Sequence, residues 1–328
     1  MPIIIRVTND MFDFEKACCY MVNLVNLMGV SGKGLALEMR KRCPSHIEKY
    51  KEACKTKELR IGTVQVIEET EQSWGIINFP TKRHYANDSS LEDIARSLEA
   101  LKDLLKTPRF RHCVIGMPIP GSGNGHRTYD EVYPLVIDYL GGLEATIILS
   151  MAPDKTEMRP RYLTIVGPED YGQSDLQKQS IDWVIEKSLE KWGTTLDSYE
   201  GILSGGGKGV DRYICGEELV KNVEETYVFR KTGKPGIIIK PNLVRNSISA
   251  IRQRDIALCE LAHDVILFKP KDHNNNRVLS MHVYLENDTQ AKHMQGIDPK
   301  RVAIFGDRSL TRKEDNVIIP VQGNNWEE

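Results

Sequence analysis

Residues 26–34 read Asn26-Leu27-Met28-Gly29-Val30-Ser31-Gly32-Lys33-Gly34, between an apolar run and a helix-like segment. Glycines at 29, 32 and 34 let the backbone approach a ligand closely and take conformations that a β-carbon forbids. Amides freed in such a loop, ahead of a helix N-terminus, form an anion site. A second loop of this kind, Gly121-Ser122-Gly123-Asn124-Gly125, follows Pro120, and a third is Ser204-Gly205-Gly206-Gly207-Lys208-Gly209. Each lies between a strand-like and a helix-like run, the pattern of a protein that handles phosphate-bearing small molecules, here at two sites. The first loop has the spacing Gly-x-x-Gly-x-Gly, which is not the dinucleotide fingerprint Gly-x-Gly-x-x-Gly. Gly32-Lys33-Gly34 lacks the Gly-Lys-Ser/Thr ending of a P-loop, which argues against an ATPase.

The elements that must position these loops alternate along the chain. Strands are expected at Ile3–Val7, Met21–Asn26, Gly62–Glu68, Trp74–Phe79, Cys113–Met117 and Ala145–Leu149. A helix runs from Gly34 to about Arg42 and stops before Pro44. Another begins after Ser89, whose hydroxyl can cap it with Glu92, and carries Leu91, Ile94, Leu98, Leu101 and Leu105 at the 3.6 period. A third starts at Thr128 with Glu131 three residues on. Residues 152–160 are polar, contain two prolines and read as a linker. The pattern restarts with strand Arg161–Val166 and helix Asp175–Trp192, whose Leu176, Ile181, Val184, Ile185 and Leu189 share a face. Strands Gly201–Ser204, Thr226–Phe229, Gly236–Lys240, Asp264–Phe268 and Val302–Phe305 follow, with helices at Ser247–Leu261 and near Asp288–Gln295. Strict alternation favours mainly parallel sheets with ligands at the strands' carboxyl ends.

The chain has 328 residues, comfortable for two domains. Apolar content of 40% and charged content of 27% are those of a soluble globular protein. A net charge of −2 creates no global field for nucleic acid, so any such contact must be local. Seven scattered cysteines without C-x-x-C argue against a disulfide framework and a zinc site and suit a reducing cytosol. Cys18-Cys19 reads as buried core on a helix. MPIIIRVTND reads as a first strand rather than a signal peptide, and no apolar run approaches the roughly 20 residues of a membrane span. The expected location is therefore cytoplasmic, with no membrane, metal or cofactor required.

Candidate chemistry in the first half lies in Asp10, the loop 26–34, Lys82-Arg83-His84 and the loop 121–125. The order Asp10-Met11-Phe12, Asn26…Gly29-Val30-x-Gly32-Lys33-Gly34-Leu35-Ala36, Asn78-Phe79-Pro80-Thr81-Lys82-Arg83-His84 and Pro118…Gly121-Ser122-Gly123-Asn124-Gly125 resembles the macrodomain family. The similarity is to the branch of the DarG antitoxin and the terminal ADP-ribose glycohydrolase, over residues 1–151. It implies a mixed sheet with flanking helices, ADP-ribose as ligand or product, and removal of ADP-ribose from modified DNA or protein. By position, Asp10 would recognise the adenine. Gly29, Val30, Gly32 and Gly34 would hold the distal ribose. Ser122, Gly123, Asn124 and Gly125 would wrap the diphosphate, and Met11, Lys33, Pro120 and Gly121 would also bind ADP-ribose. Lys82 would be the catalytic lysine, and Asn26 would orient the distal ribose.

A lysine amine attacks an anomeric carbon once it is deprotonated. Arg83 beside it, Lys33 if close, and burial would lower its pKa, while a bound phosphate would raise it. Terminal glycohydrolases have an aspartate where this chain has Gly125, which leaves the acid/base partner open between His84 and His126. Ser31 stands where relatives usually have methionine.

Arg161–Val166 followed by Ser204–Gly209 and Asp211, with Val244-Arg245-Asn246 and Arg252-x-Arg254-Asp255, resembles the SLOG superfamily of Rossmann-like domains, over residues 161–307. It implies a mainly parallel sheet and a nucleotide or NAD-derived ligand near Gly167, Ser204, Gly205, Gly206, Gly207, Gly209, Asp211, Arg245, Asn246 and Arg254. The hydrolytic members' Pro-Gly-Gly-x-Gly-Thr motif is replaced by Lys269–Asn274, which points to binding without hydrolysis. Residues 308–328 read as a tail. The expected protein is an ADP-ribosyl hydrolase with a second, nucleotide-binding domain, of use in toxin–antitoxin or phage conflict. The alternatives are a non-catalytic sensor of such signals and an antitoxin that holds its toxin through the second domain. Self-association stays open.

Overall fold

Apolar runs that alternate with amphipathic segments build two separate sheets. The computed structural model describes residues 3–7, 10–68, 70–151, 161–215, 227–228, 235–238, 247–268, 278, 280–281, 283–287, 301–305 and 316–318. The chain divides into two compact units, Met1–Arg159 with Pro241–Gln253, and Pro160–Lys240 with Arg254–Glu328. The expected linker 152–160, Arg245, Asn246, Lys269–Asn274, the helix near Asp288–Gln295 and all of the tail except 316–318 lie outside the described residues.

The first unit holds β1 (Ile3–Val7), β2 (Tyr20–Asn26), β3 (Gln65–Ile67), β4 (Gly75–Lys82), β5 (Val114–Pro118) and β6 (Thr146–Ser150). Their order is β1-β6-β5-β2-β4-β3, parallel throughout except for the antiparallel β3–β4 pair, so the sheet is mixed. Helices α1 (Gly34–Arg42), α2 (His46–Lys55), α3 (Leu91–Leu105) and α4 (Tyr129–Leu140) accompany it. The strands are mostly apolar, as a sheet covered on both faces requires, and the buried Asn23 of β2 donates to Asn78 of β4 at 2.8 Å. Ile94, Leu98, Leu101 and Leu105 of α3 and Val132, Val136 and Leu140 of α4 pack with Val22, Ile77, Phe79, Ile115 and Ile147. Tyr50 and Ala53 of α2 pack with Val25 and Leu59.

Three local expectations change. The cap of α3 is Ser90, whose hydroxyl accepts from the Asp93 amide at 3.0 Å. Ser89 is pulled inward instead, its amide donating to the Gly125 carbonyl at 3.1 Å, and its buried hydroxyl has no partner. Helix α2 was not expected from the sequence, although its buried Ile47, Tyr50 and Ala53 recur at three-residue spacing. Cys18 and Cys19 are buried, but they lie in the turn into β2 and not on a helix. The Thr128–Glu131 capping box forms as the sequence predicts.

The second unit holds β7 (Tyr162–Val166), β8 (Gly201–Ser204), β9 (Tyr227–Val228), β10 (Pro235–Ile238), β11 (Asp264–Phe268), β12 (Arg301–Phe305) and β13 (Asn316–Ile318). The order is β13-β12-β11-β7-β8-β10-β9, parallel except for β9, and its direction reverses between β7 and β11. Helices α5 (Asp175–Lys191) and α6 (Val210–Cys215) belong to it, with the part of α7 (Ser247–Leu261) from Arg254 onward. Ile181, Val184, Ile185 and Leu189 of α5 join Leu163, Ile165, Ile202, Ile266 and Phe268 in the core. Leu176, expected on that face, is 56% exposed in the first turn of α5.

A buried charge cluster at the amino ends of β7, β11 and β12 was not legible in the sequence. Asp264 accepts from Arg301 at 2.6 and 2.7 Å, from Arg161 at 2.8 Å and from the Tyr199 hydroxyl at 2.5 Å. Burial alone would raise the Asp264 pKa, but hydrogen bonds from Arg301 and Tyr199 and the two guanidinium charges outweigh it and hold it below the usual carboxylate value. Among the described residues no helix is long and apolar enough to cross a membrane.

Candidate active site

β2 and β4 end together. Asn26 and Lys82 are paired across this parallel ladder, where an irregularity at Val25/Asn26 shifts the register. On the other side, β2 pairs with β5 only at Tyr20 and Met21. The strands leave the ladder beyond that point, and both glycine loops of the first unit emerge from their carboxyl ends. Such ends are where open α/β sheets bind ligands.

The first loop is organised by Asn26. Its amide nitrogen donates to the Val30 carbonyl at 2.8 Å, and its oxygen accepts from the Met28 amide at 3.0 Å and the Val30 amide at 3.4 Å. The side chain expected to face a ribose is thus engaged in holding the loop. The Tyr50 hydroxyl donates to the Asn26 carbonyl at 2.6 Å from below. Gly29 has φ 69°, a left-handed conformation that favours glycine. Lys33 occupies the N-cap of α1 and has no acceptor to offer, so the side chain leaves the first-turn amides uncapped. Gly32, Lys33 and Gly34 are exposed, and the Ser31 hydroxyl is buried without a partner.

The second loop adjoins the first. A Cβ on Gly34 would lie 3.2 Å from the Asn124 amide nitrogen. The Asn124 carbonyl accepts a hydrogen bond from the Lys82 ammonium. Gly123, at φ 61°, faces open space. The Ser122 hydroxyl turns back to donate to the Ile119 carbonyl at 2.8 Å, and Pro120 and Gly121 are buried. A Cβ on Gly125 would stand 3.8 Å from Lys82 Cε but only 2.6 Å from the Ser89 hydroxyl oxygen.

Burial lowers the Lys82 pKa, and the Asp88 carboxylate opposes that shift. Arg83, expected to help lower it, instead forms a bidentate pair with Asp93 of α3 at 2.8 and 3.0 Å. Lys33 likewise does not figure among the groups that shift Lys82. Asp88 was missed by sequence reasoning, since nothing local marks it. Its carboxyl lies 2.6 Å from His126 Nδ1, and that hydrogen bond, helped by the charges of His126, Lys82 and Arg127, lowers its pKa. His84 does local work: its ring stacks on Tyr85 at 4.4 Å, and Nδ1 accepts from the Ala86 amide at 3.2 Å.

Asp10 caps the 3₁₀ turn Met11–Phe14, accepting from the Phe12 amide at 2.9 Å. Met11, expected at the ligand, is 3% exposed and belongs to the core.

In the second unit the third loop begins at Ser204, the last residue of β8. Its amides are partly engaged: the Gly206 amide donates to the Ser204 hydroxyl at 3.2 Å, and the Gly207 amide donates to the buried Asp211 carboxylate at 3.3 Å. Gly167 follows β7, where a Cβ would come within 2.4 Å of Val210. Gly209 has φ 69°, and a Cβ there would meet the Pro168 carbonyl at 2.2 Å. These two glycines serve close strand–helix packing. Arg254 bonds to its neighbour Asp255 at 2.8 and 2.9 Å.

Residues 22–136 match the Macro domain family model. A DNA ADP-ribosyl glycohydrolase of Thermus aquaticus is 34% identical over 136 residues, 40% of this chain and 37% of that protein. The protein of the same name from Mycobacterium tuberculosis is 39% identical over 116 residues, 34% of this chain and 32% of that protein. A DNA ADP-ribosyl transferase-DNA ADP-ribosyl glycohydrolase fusion protein of Thermosipho africanus is 28% identical over 179 residues, 48% of this chain and 45% of that protein. The chain therefore spans less than half the length of these curated relatives. The residues that match the Macro domain model, 22–136, lie in the first unit, and the curated relatives similar to this chain bear the name DNA ADP-ribosyl glycohydrolase.

Proposed function

We propose that the first unit is an ADP-ribosyl glycohydrolase that releases ADP-ribose from a modified nucleic acid or protein, with ADP-ribosylated DNA as the first substrate to try. The observation that carries this reading is the convergence of Lys82 with both glycine loops at the ends of β2, β4 and β5. The diphosphate lies along Gly121, Ser122, Gly123, Asn124 and Gly125. The distal ribose sits against Gly29, Val30, Gly32, Lys33 and Gly34, near the uncapped start of α1. Asp10 reads the adenine, and Asn26 acts by holding the first loop in shape.

In this reading Lys82 is the catalytic group at the anomeric carbon. Burial favours its neutral amine, the form with a lone pair to attack. The second unit binds a nucleotide or NAD-derived ligand at the carboxyl ends of β7 and β8, next to the point where strand order reverses. A DNA ADP-ribosyl transferase that installs the modification is the natural functional partner, as in the fusion relative.

One observation favours a second reading, a non-catalytic sensor of ADP-ribose: Gly125 brings no carboxylate to Lys82, and Ser89 fills that space. An assay of ADP-ribosylated DNA and protein with wild type and Lys82→Ala separates the two. The enzyme reading expects release by the wild type and its loss in Lys82→Ala with ADP-ribose still bound. Equal release by both would remove Lys82 from the mechanism. Binding without release by either leaves the sensor.

A further inference from the structure

We infer that His126, oriented by Asp88, is the proton donor and acceptor of the Lys82 site and takes the part that a carboxylate at position 125 would play. This rests on the reading of the first unit as an ADP-ribosyl glycohydrolase. The Lys82 ammonium donates to the Asn124 carbonyl, and His126 stands two residues on. His126 holds φ 54°, a left-handed conformation uncommon for a residue with a side chain, which ends the short turn Gly123–Gly125. Its Nδ1 lies 2.6 Å from Asp88 Oδ1, and the same Asp88 is the charge that acts on Lys82. Lysine, aspartate and histidine therefore form one electrostatic cluster, although they come from the end of β4, the turn after it and the second glycine loop.

Arg127 also acts on this pair, since its charge reaches Asp88. It donates to the Ser89 carbonyl at 2.5 Å and is itself paired with Glu131 at 3.2 Å. Two cations and an imidazole keep Asp88 ionised. An ionised carboxylate on Nδ1 fixes the ring tautomer and leaves Nε2 as the nitrogen that exchanges protons. The His126 side chain is 71% exposed, so the imidazole is reachable from solvent.

The step balances. Lys82 forms a bond to the anomeric carbon as the bond from that carbon to the acceptor breaks, and the electron pair leaves with the acceptor. The imidazolium gives its Nε2 proton to the acceptor. Water then displaces the Lys82 amine from the carbon and returns a proton to Nε2. Free ADP-ribose and unmodified acceptor result, with both side chains restored.

The test uses the full chain with ADP-ribosylated DNA and protein. His126→Gly keeps the backbone conformation accessible, and is expected to lower kcat about 100-fold or more, as loss of a general acid does. Its affinity for ADP-ribose should stay within about twofold, since the imidazole makes no contact with the bound product in this scheme. Added imidazole should restore much of the His126→Gly rate and do nothing for Lys82→Ala. Asp88→Asn, which no longer holds the ring through an ionised carboxylate, should lower kcat with KM unchanged. An active wild type with an unimpaired His126→Gly, or a loss that imidazole fails to reverse, overturns the dyad alone. A wild type that releases nothing from any substrate overturns the glycohydrolase reading, and the dyad with it.

Discussion

Asn26 and Lys82 are register partners at the carboxyl ends of two neighbouring parallel strands, and the Leu27 amide donates to the Lys82 carbonyl at 3.0 Å. The residue that shapes the first glycine loop thereby lies in register with the residue proposed to react, and its neighbour Leu27 is bound to that residue's backbone. Asn26→Ala removes both halves of the side-chain amide and leaves Met28, Val30 and the Val30 carbonyl to find water. ADP-ribose affinity should fall about tenfold, the equivalent of one lost hydrogen bond with a polar group left unpaired. Calorimetric titration checks this. Unchanged affinity would show that the loop needs no such brace.

Lys82→Arg keeps a cation that can donate to the Asn124 carbonyl but cannot lose its proton. It should bind ADP-ribose about as well as wild type and release none. In the wild type, burial lowers the lysine pKa and Asp88 raises it. The amine is freed as pH rises through that lowered value, so the rate should climb on the alkaline side at a lower pH than an ordinary lysine would allow. Activity of Lys82→Arg above background would end the nucleophile assignment.

Ser89 and Gly125 compete for one volume. Gly125→Ala sets a methyl 2.6 Å from the Ser89 hydroxyl oxygen and should cost about 1–3 kcal/mol, as overpacking does. Ser89→Ala alone should be nearly neutral, because the hydroxyl it deletes is buried without a partner. The double variant should recover part of the loss, so the two changes are non-additive. Thermal melting of the four proteins reads the coupling, and strict additivity would contradict the packing.

Asp264→Asn tests the charge cluster of the second unit. Breaking a buried pair by removing one partner costs about 3 kcal/mol. The sign of the pH effect follows from the depressed folded pKa of Asp264. Its contribution is present above the ordinary carboxylate value of about 3.9 and is lost as pH falls through the lower folded value. Wild type should therefore lose stability in strong acid by a term that Asp264→Asn lacks. Emission of Trp192, whose ring lies under Arg301, provides the signal. Identical acid transitions in the two proteins would refute it.

Much of the local structure was legible. Gly34–Arg42 begins at a glycine loop and ends before Pro44, and Thr128–Glu131 writes its own capping box. These features depend on neighbours within a turn or two, which a sequence displays directly. Ser89 and Ser90 show the limit. Both satisfy the capping pattern, and a hydrogen bond to Gly125, far along the chain, decides between them. Met11 shows another limit, since a methionine in a ligand-like motif and a methionine in a core look alike until the packing is known.

By itself the sequence determined the chemical inventory of this protein: a lysine, two glycine-rich loops flanking it in the first unit, and a third loop in the second. Local backbone preference accounts for that, because glycines at these spacings permit left-handed turns wherever the chain goes. The tertiary structure decided which groups act on one another. Strand order set Asn26 beside Lys82, brought Asn124 to the lysine, turned Arg83 to Asp93 and joined Asp88 to His126. It also gave two amides of the third loop to Ser204 and Asp211. Hydrogen bonds and charge interactions act through a few ångströms of space, and only the folded sheet fixes those distances.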